Sequence, residues 1–199
     1  MKKIIESKQF WIFDMDGTLT EAMHDFPAIK KELGTPEDID ILEAISRVSK
    51  EEGERIHKRL LEIEFEIAKK AKHSTGSIEF LEFILSRNSK IGILTRNSLV
   101  NTWETLKSSG LSSYFPPDTI IAREHFEPKP SPEGILHLMK LWNASGSETI
   151  MVGDYIFDLE AGRNANVSTL YYDPTGRFIF ADHSNYRFSD FSEINEILT

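Results

Sequence analysis

Three short apolar runs in this chain each stop abruptly at polar residues. Phe10-Trp11-Ile12-Phe13 stops at Asp14-Met15-Asp16-Gly17-Thr18, Lys90-Ile91-Gly92-Ile93-Leu94 at Thr95-Arg96-Asn97, and Thr149-Ile150-Met151-Val152 at Gly153-Asp154. Short runs rich in aromatic and β-branched residues, bounded by turn formers, read as buried strands that deliver polar side chains at their carboxyl ends. Val167-Ser168-Thr169-Leu170-Tyr171-Tyr172 and Thr119-Ile120-Ile121 extend the set. Helical patterns alternate with these strands. Leu99, Val100, Trp103 and Leu106 share one face, with Gly110 placed as a C-terminal cap. Ile135, Leu138, Met139 and Trp142 follow Ser131-Pro132-Glu133, where Ser is a suitable cap and Pro a suitable opening residue. Strands alternating with helices predict an α/β fold, a mostly parallel sheet covered on both faces.

Residues 20–73 interrupt the alternation. They contain no strand-like run and predict an all-helical insertion after the first strand, dividing the chain into a core (1–19 and 74–199) and a helical domain (20–73). Asp25-Phe26-Pro27 reads as a helix start, Thr35-Pro36-Glu37-Asp38 as a second, and Ser49-Lys50-Glu51-Glu52 as a third of capping-box form. Ile56, Leu60, Ile63, Ile67 and Ala71 form the apolar stripe of a long amphipathic helix, most simply a packing surface. Phe188–Ile194 reads as a closing strand and helix with no chemistry assigned.

Composition narrows the function. With 23 Lys and Arg against 32 Asp and Glu, the net charge is −9, and no basic stripe offers a surface for nucleic acid. The chain has no Cys, which excludes disulfides and thiol catalysis. The apolar run after Met1-Lys2-Lys3 is short for a signal peptide, and no stretch approaches the roughly 18 apolar residues of a membrane span. These features predict a cytoplasmic protein without a membrane partner.

Asp-x-Asp-Gly taken alone is an ordinary turn signal. Its position changes its meaning, because two carboxylates at the carboxyl end of a buried parallel strand lie where such sheets bind ligands. A hard divalent cation, which prefers oxygen ligands, gives those acids a purpose, and Asp14 and Asp154 belong to different strand ends that can converge. Asp158 follows Asp154 at a spacing that shares a face if a helix starts there, with helix capping as the alternative reading. Thr95 and Lys129 offer a hydroxyl and an ammonium for a phosphate, while Thr95 also reads as a plain N-cap and the prolines around Lys129 as a stiff linker.

Taken in order along nearly the whole chain, these segments resemble the haloacid dehalogenase-like superfamily, in particular its phosphatases with a small helical cap, of the phosphoglycolate phosphatase type. The resemblance implies a Rossmann-like core and a magnesium-dependent phosphatase acting on a small-molecule phosphate monoester. It makes Asp14 the nucleophile and Asp16 the general acid and base, with Thr95, Arg96 and Lys129 on the substrate side. Asp14, the Asp16 carbonyl, Asp154 and Asp158 would hold Mg2+. Glu21 and His24 fall at the entrance, where substrate is selected, although His24 reads more simply as an exposed loop histidine. Asp16 argues against the dehalogenase branch, which lacks it. A sugar phosphomutase and a non-catalytic phospholigand-binding module stay open, as do the substrate and the choice between monomer and homodimer.

Overall fold

A computed structural model describes residues 6–198. Six parallel strands form one sheet in the order β3-β2-β1-β4-β5-β6. They are β1 (Phe10–Phe13), β2 (Lys90–Leu94), β3 (Ile120–Ile121), β4 (Thr149–Gly153), β5 (Ser168–Tyr172) and β6 (Tyr186–Phe188). β1 is central and pairs with both β2 and β4, with Phe13 opposite Ile93 on one side and Val152 on the other. Successive side chains of a strand point to opposite faces, so each strand serves two cores. Trp11 and Phe13 pack with Phe80 and Leu81 of α4 (Ser77–Ser86), Leu106 of α5 (Leu99–Ser108) and Phe191 of α8 (Phe191–Leu198). Ile12 packs oppositely, with Ile135 and Leu138 of α6 (Glu133–Trp142) and Ala161 of α7 (Ile156–Asn164). Trp11, Ile12 and Phe13 are all 0% exposed, and burying each such side chain contributes about 1.5–3 kcal/mol.

Between β1 and β2 lie α1 (Phe26–Leu33), α2 (Ile41–Ser46) and α3 (Lys50–Ala68), whose Ile29, Leu33, Ile41, Ile56 and Leu60 form an apolar cluster of their own. The segment leaves and returns at one place. Thr20 and His73 pair in an antiparallel bridge, Glu21 N–H donates to the Lys72 carbonyl at 3.0 Å, and Ser74 N–H to that of Leu19 at 2.8 Å. Asp25 and Ser49 cap α1 and α3 as expected, their side chains accepting from Ala28 N–H and Glu52 N–H.

Local expectations are corrected at three points. Residues 35–39 are not helical; α2 begins at Ile41, capped by Asp40, whose carboxylate accepts from Leu42 N–H at 3.0 Å. A carboxylate at the cap position offers the stronger acceptor to the free amides. α3 buries Gly53, Ile56, Leu60, Glu64 and Ala68, leaving Ile63 and Ile67 only partly covered, and ends before Ala71. Pro132, not Ser131, occupies the cap position of α6, while Ser131 Oγ accepts from Glu133 N–H at 3.3 Å. Among the described residues no helix is long and apolar enough to cross a membrane.

Candidate active site

β1 and β4 are neighbours at the centre of the sheet, and the strand order reverses direction there. That crevice is where open parallel sheets bind ligands. Asp14 leaves the end of β1, its N–H donating to the Val152 carbonyl at 2.8 Å, and Asp154 leaves the end of β4. Asp14, Asp154 and Asp158 each present a carboxylate oxygen, the three lying within 4.8 Å of one another. Lys129 enters from the loop before α6. Its Nζ is 2.5 Å from Asp14 Oδ1 and 2.5 Å from Asp158 Oδ1, and its side chain is 3% exposed.

Asp154 and Asp158 do not meet through helical periodicity. α7 starts at Ile156, beyond Asp154, and Asp158 is its third residue. Asp158 folds back so that Oδ2 accepts from Tyr155 N–H at 3.0 Å, while Oδ1 takes Lys129. One carboxylate thus ties the helix start to the ammonium, so the capping contact and the acidic cluster share the Asp158 side chain. Two glycines make room. A Cβ on Gly153 would fall 2.3 Å from Asp158 Cβ, and one on Gly17, at φ +90°, would fall 2.6 Å from Asp154 Oδ2. Thr18 Oγ1 donates to the other Asp154 oxygen at 3.0 Å.

Electrostatics in the cluster are tense. Burial raises the Asp14 carboxyl above its ordinary range, partly opposed by Lys129. Burial, with repulsion from Asp14 and Asp158, raises Asp154 well above it. Asp158 is pushed up to about 6 by burial against the pull of Lys129. Burial works against the Lys129 ammonium, yet Asp14 and Asp158 hold it above the usual lysine value. Three converging carboxylates and one ammonium leave unbalanced negative charge, and the donor set is all oxygen, which fits a hard divalent cation such as Mg2+.

Asp16 lies beside this group and burial raises it to about 6, while the Asn97 side-chain amide donates to Oδ2 at 3.3 Å. His24 Nδ1 is 4.0 Å from Asp16 Oδ1, and its side chain is 10% exposed. It stacks on Phe26 and is no free loop histidine; burial lowers its pKa and favours the neutral ring. Thr95 is buried and does not cap α5: Ser98 does, accepting from Asn101 N–H, while Thr95 Oγ1 accepts from Asn97 N–H at 3.0 Å. Arg96 turns toward the inserted helices, with Nη2 2.6 Å from Asp40 Oδ1 and its guanidinium over the Phe157 ring at 4.5 Å. Glu21 is exposed, tied down through its backbone bond to Lys72.

The sequence reading passed over several polar groups. Thr18 and Asn97 stood inside quoted motifs without a role. Arg123 donates to both oxygens of Glu64 at 3.2 and 2.7 Å, and Asn101 Nδ2 donates to Glu64 Oε2 at 3.2 Å. Glu64 and Arg123 are 59 residues apart, so no local pattern announces the pair.

Comparison with known proteins agrees with this arrangement. A family model described as haloacid dehalogenase-like hydrolase matches residues 11–172. A haloacid dehalogenase-like hydrolase domain-containing protein of Arabidopsis thaliana is 31% identical over 179 residues, covering 84% of this chain and 71% of that protein. An uncharacterized hydrolase of Saccharomyces cerevisiae is 32% identical over 165 residues, covering 80% of this chain and 74% of the yeast protein. The fold matches that of a candidate phosphoglycolate phosphatase from Lactobacillus plantarum with a TM-score of 0.77 at 19% identity, over 96% of this chain and 99% of the other. With the strand order, the paired carboxylates at the central strand ends and the buried lysine in place, the chain belongs to the haloacid dehalogenase-like hydrolase family.

Proposed function

We propose that the protein is a Mg2+-dependent phosphatase that hydrolyses a small-molecule phosphate monoester through an aspartyl-phosphate on Asp14. The observation that carries this reading is the buried contact of Lys129 with Asp14 at 2.5 Å, beside Asp154 and Asp158. A carboxylate attacks a phosphate dianion only where positive charge offsets the repulsion. Lys129 supplies part of it. Asp14, Asp154 and Asp158, with the Asp16 carbonyl, would hold a divalent cation, which would supply the rest as charge opposite the phosphoryl oxygens.

In the first step an Asp14 oxygen forms a bond to phosphorus as the ester oxygen departs. Asp16, whose carboxyl burial raises to about 6, keeps a protonated fraction near neutrality and from it delivers a proton to that oxygen. In the second step the Asp16 carboxylate takes a proton from water, which attacks phosphorus, releases inorganic phosphate and restores Asp14. Asn97 holds Asp16 through its 3.3 Å hydrogen bond, and Asp158 aims Lys129. Thr95 contributes a hydroxyl at the end of β2 for the phosphoryl group. The helices of 20–73 act as a cap over the leaving group, with His24 at its edge.

The test is phosphate release from an aryl phosphate with and without Mg2+, comparing the wild type with Asp14→Asn. The expected result is turnover that requires both the metal and Asp14; equal rates in the two proteins overturn the proposal. A mutase of the same architecture would isomerise a hexose phosphate faster than it hydrolyses it, and hydrolysis is expected to be the faster.

A further inference from the structure

Two guanidinium groups run from the sheet side toward the inserted helices, and both are already neutralised. Arg96 is paired with Asp40 at the start of α2 at 2.6 Å. Arg123 is held by Glu64 of α3 through two hydrogen bonds, and the side chains of this second pair are only 6% and 11% exposed. Asn101 fixes Glu64 further, donating to its carboxylate and to the Leu61 carbonyl at 3.3 Å. The pair stands close to the reacting end of the site: Arg123 N–H donates to the Asn97 carbonyl at 3.1 Å, and the Asn97 side-chain amide donates to Asp16 at 3.3 Å.

Asp16 marks where the leaving oxygen sits, so the groups around Asp16 face what that oxygen carries. They are an imidazole 4.0 Å from Asp16, the Asn97 amide that donates to Asp16, and beyond them Asn101 hydrogen-bonded to the Glu64 carboxylate. An imidazole both donates and accepts, which suits a hydroxyl group, whereas the Asn97 oxygen is taken by Ser98 N–H and the Asn101 amide by Glu64 and the Leu61 carbonyl. A second anion on the substrate needs an uncommitted cation, most effectively a guanidinium able to bind it with two hydrogen bonds. Here both guanidinium groups are spent on Asp40 and Glu64. A carboxylate or second phosphate entering this space meets Glu64 and Asp16 unpaired, and loses its hydration without compensation.

Resting on the phosphatase reading above, we propose that the substrate's leaving group is uncharged and hydroxyl-bearing, of the polyol or sugar type. Glu64 and Asp40 are the specificity-determining residues, and they exclude esters with an acidic leaving group by occupying Arg123 and Arg96.

The experiment compares two esters that differ only in this charge, 2-hydroxyethyl phosphate and 2-phosphoglycolate, with the Mg2+-loaded wild type and an aryl phosphate as control. The hydroxyl ester is expected to be favoured in kcat/KM by about tenfold or more, as a like charge within several ångströms in a screened site implies. Glu64→Gln frees Arg123 and is expected to reduce that ratio by improving 2-phosphoglycolate. Asp40→Asn does the same at Arg96 while keeping a cap residue at α2, so a folding defect in the buried variant leaves a second measurement. Preference for 2-phosphoglycolate in the wild type, or ratios unchanged in both variants, overturns the inference while leaving the phosphatase reading intact. Failure to hydrolyse even the aryl phosphate overturns both.

Discussion

Lys129 and Asp158 form an ion pair at 2.5 Å in which each side chain is only 3% exposed. Such a pair costs much to bury and more to break, because removing one member strands the other. Lys129→Met leaves Asp14 and Asp158 facing Asp154 without a counter-charge. The expected outcome is a loss of about 3–5 kcal/mol in urea unfolding without metal, together with loss of turnover. Added Mg2+ is expected to recover more stability in this variant than in the wild type, since the cation then relieves a larger repulsion.

Gly17 is where backbone shape and the proposed metal site meet. Its φ of +90° and the 2.6 Å approach of Asp154 to a would-be Cβ both oppose a side chain. Gly17→Ala is expected to cost about 1 kcal/mol or more in stability from the backbone alone. Displacement of Asp154 is expected to weaken Mg2+ about tenfold, as changes around metal ligands commonly do. Titrating Mg2+ against the melting temperature reads both effects.

Much of the fold was legible because buried parallel strands are apolar on both faces, so Phe10–Phe13 and Thr149–Val152 stand out as continuous runs. Asp14, Asp154 and Lys129 were legible for a related reason: each sits where an apolar run or a proline-rich segment gives way to polar residues. The insertion read less well. Thr35-Pro36-Glu37 satisfies the rules of a helix start, but Asp40 five residues later wins the cap with two hydrogen bonds from the backbone of α2. Glu64 was invisible because hydrophobic periodicity assigns the buried line to Ile63 and Ile67, whereas Arg123, distant in sequence, draws a carboxylate inside. Arg96 was singled out for the substrate, and its pairing with Asp40 depends on a cap residue that local rules misplaced.

Asp173 organises the turn after β5. Oδ1 accepts from Thr175 N–H at 2.9 Å and Thr175 Oγ1 at 2.7 Å, and Oδ2 from Phe178 N–H at 2.6 Å. Burial works in the opposite direction, but these bonds to Thr175 and Phe178 hold the carboxyl below its ordinary value. A folded pKa below the unfolded one means that the unfolded chain takes up the proton first. The stabilisation is therefore complete above the ordinary aspartate range and disappears as pH falls through the folded value. Asp173→Asn is expected to lose about 1–2 kcal/mol near neutrality. The difference from the wild type should shrink on acidification, as paired urea titrations would show.

In the proposed mechanism Asp16 has two duties that separate kinetically. An aryl phosphate whose phenol leaves without a proton bypasses the first duty but still needs Asp16 to activate water. Asp16→Asn is expected to release a burst of phenol and then turn over about 100-fold to 10,000-fold more slowly than the wild type, the usual span for losing a general base. A stopped-flow trace without a burst would argue that Asp16 acts only in the first step.

That variant also provides the most direct test of the covalent mechanism. Asp16→Asn mixed with Mg2+ and an aryl phosphate, quenched in acid during the burst and digested, is analysed by mass spectrometry for the peptide carrying Asp14. A phosphoryl group on Asp14, in an amount equal to the phenol released, is the expected result. A burst with Asp14 unmodified, or with the phosphoryl group on another residue, contradicts the account.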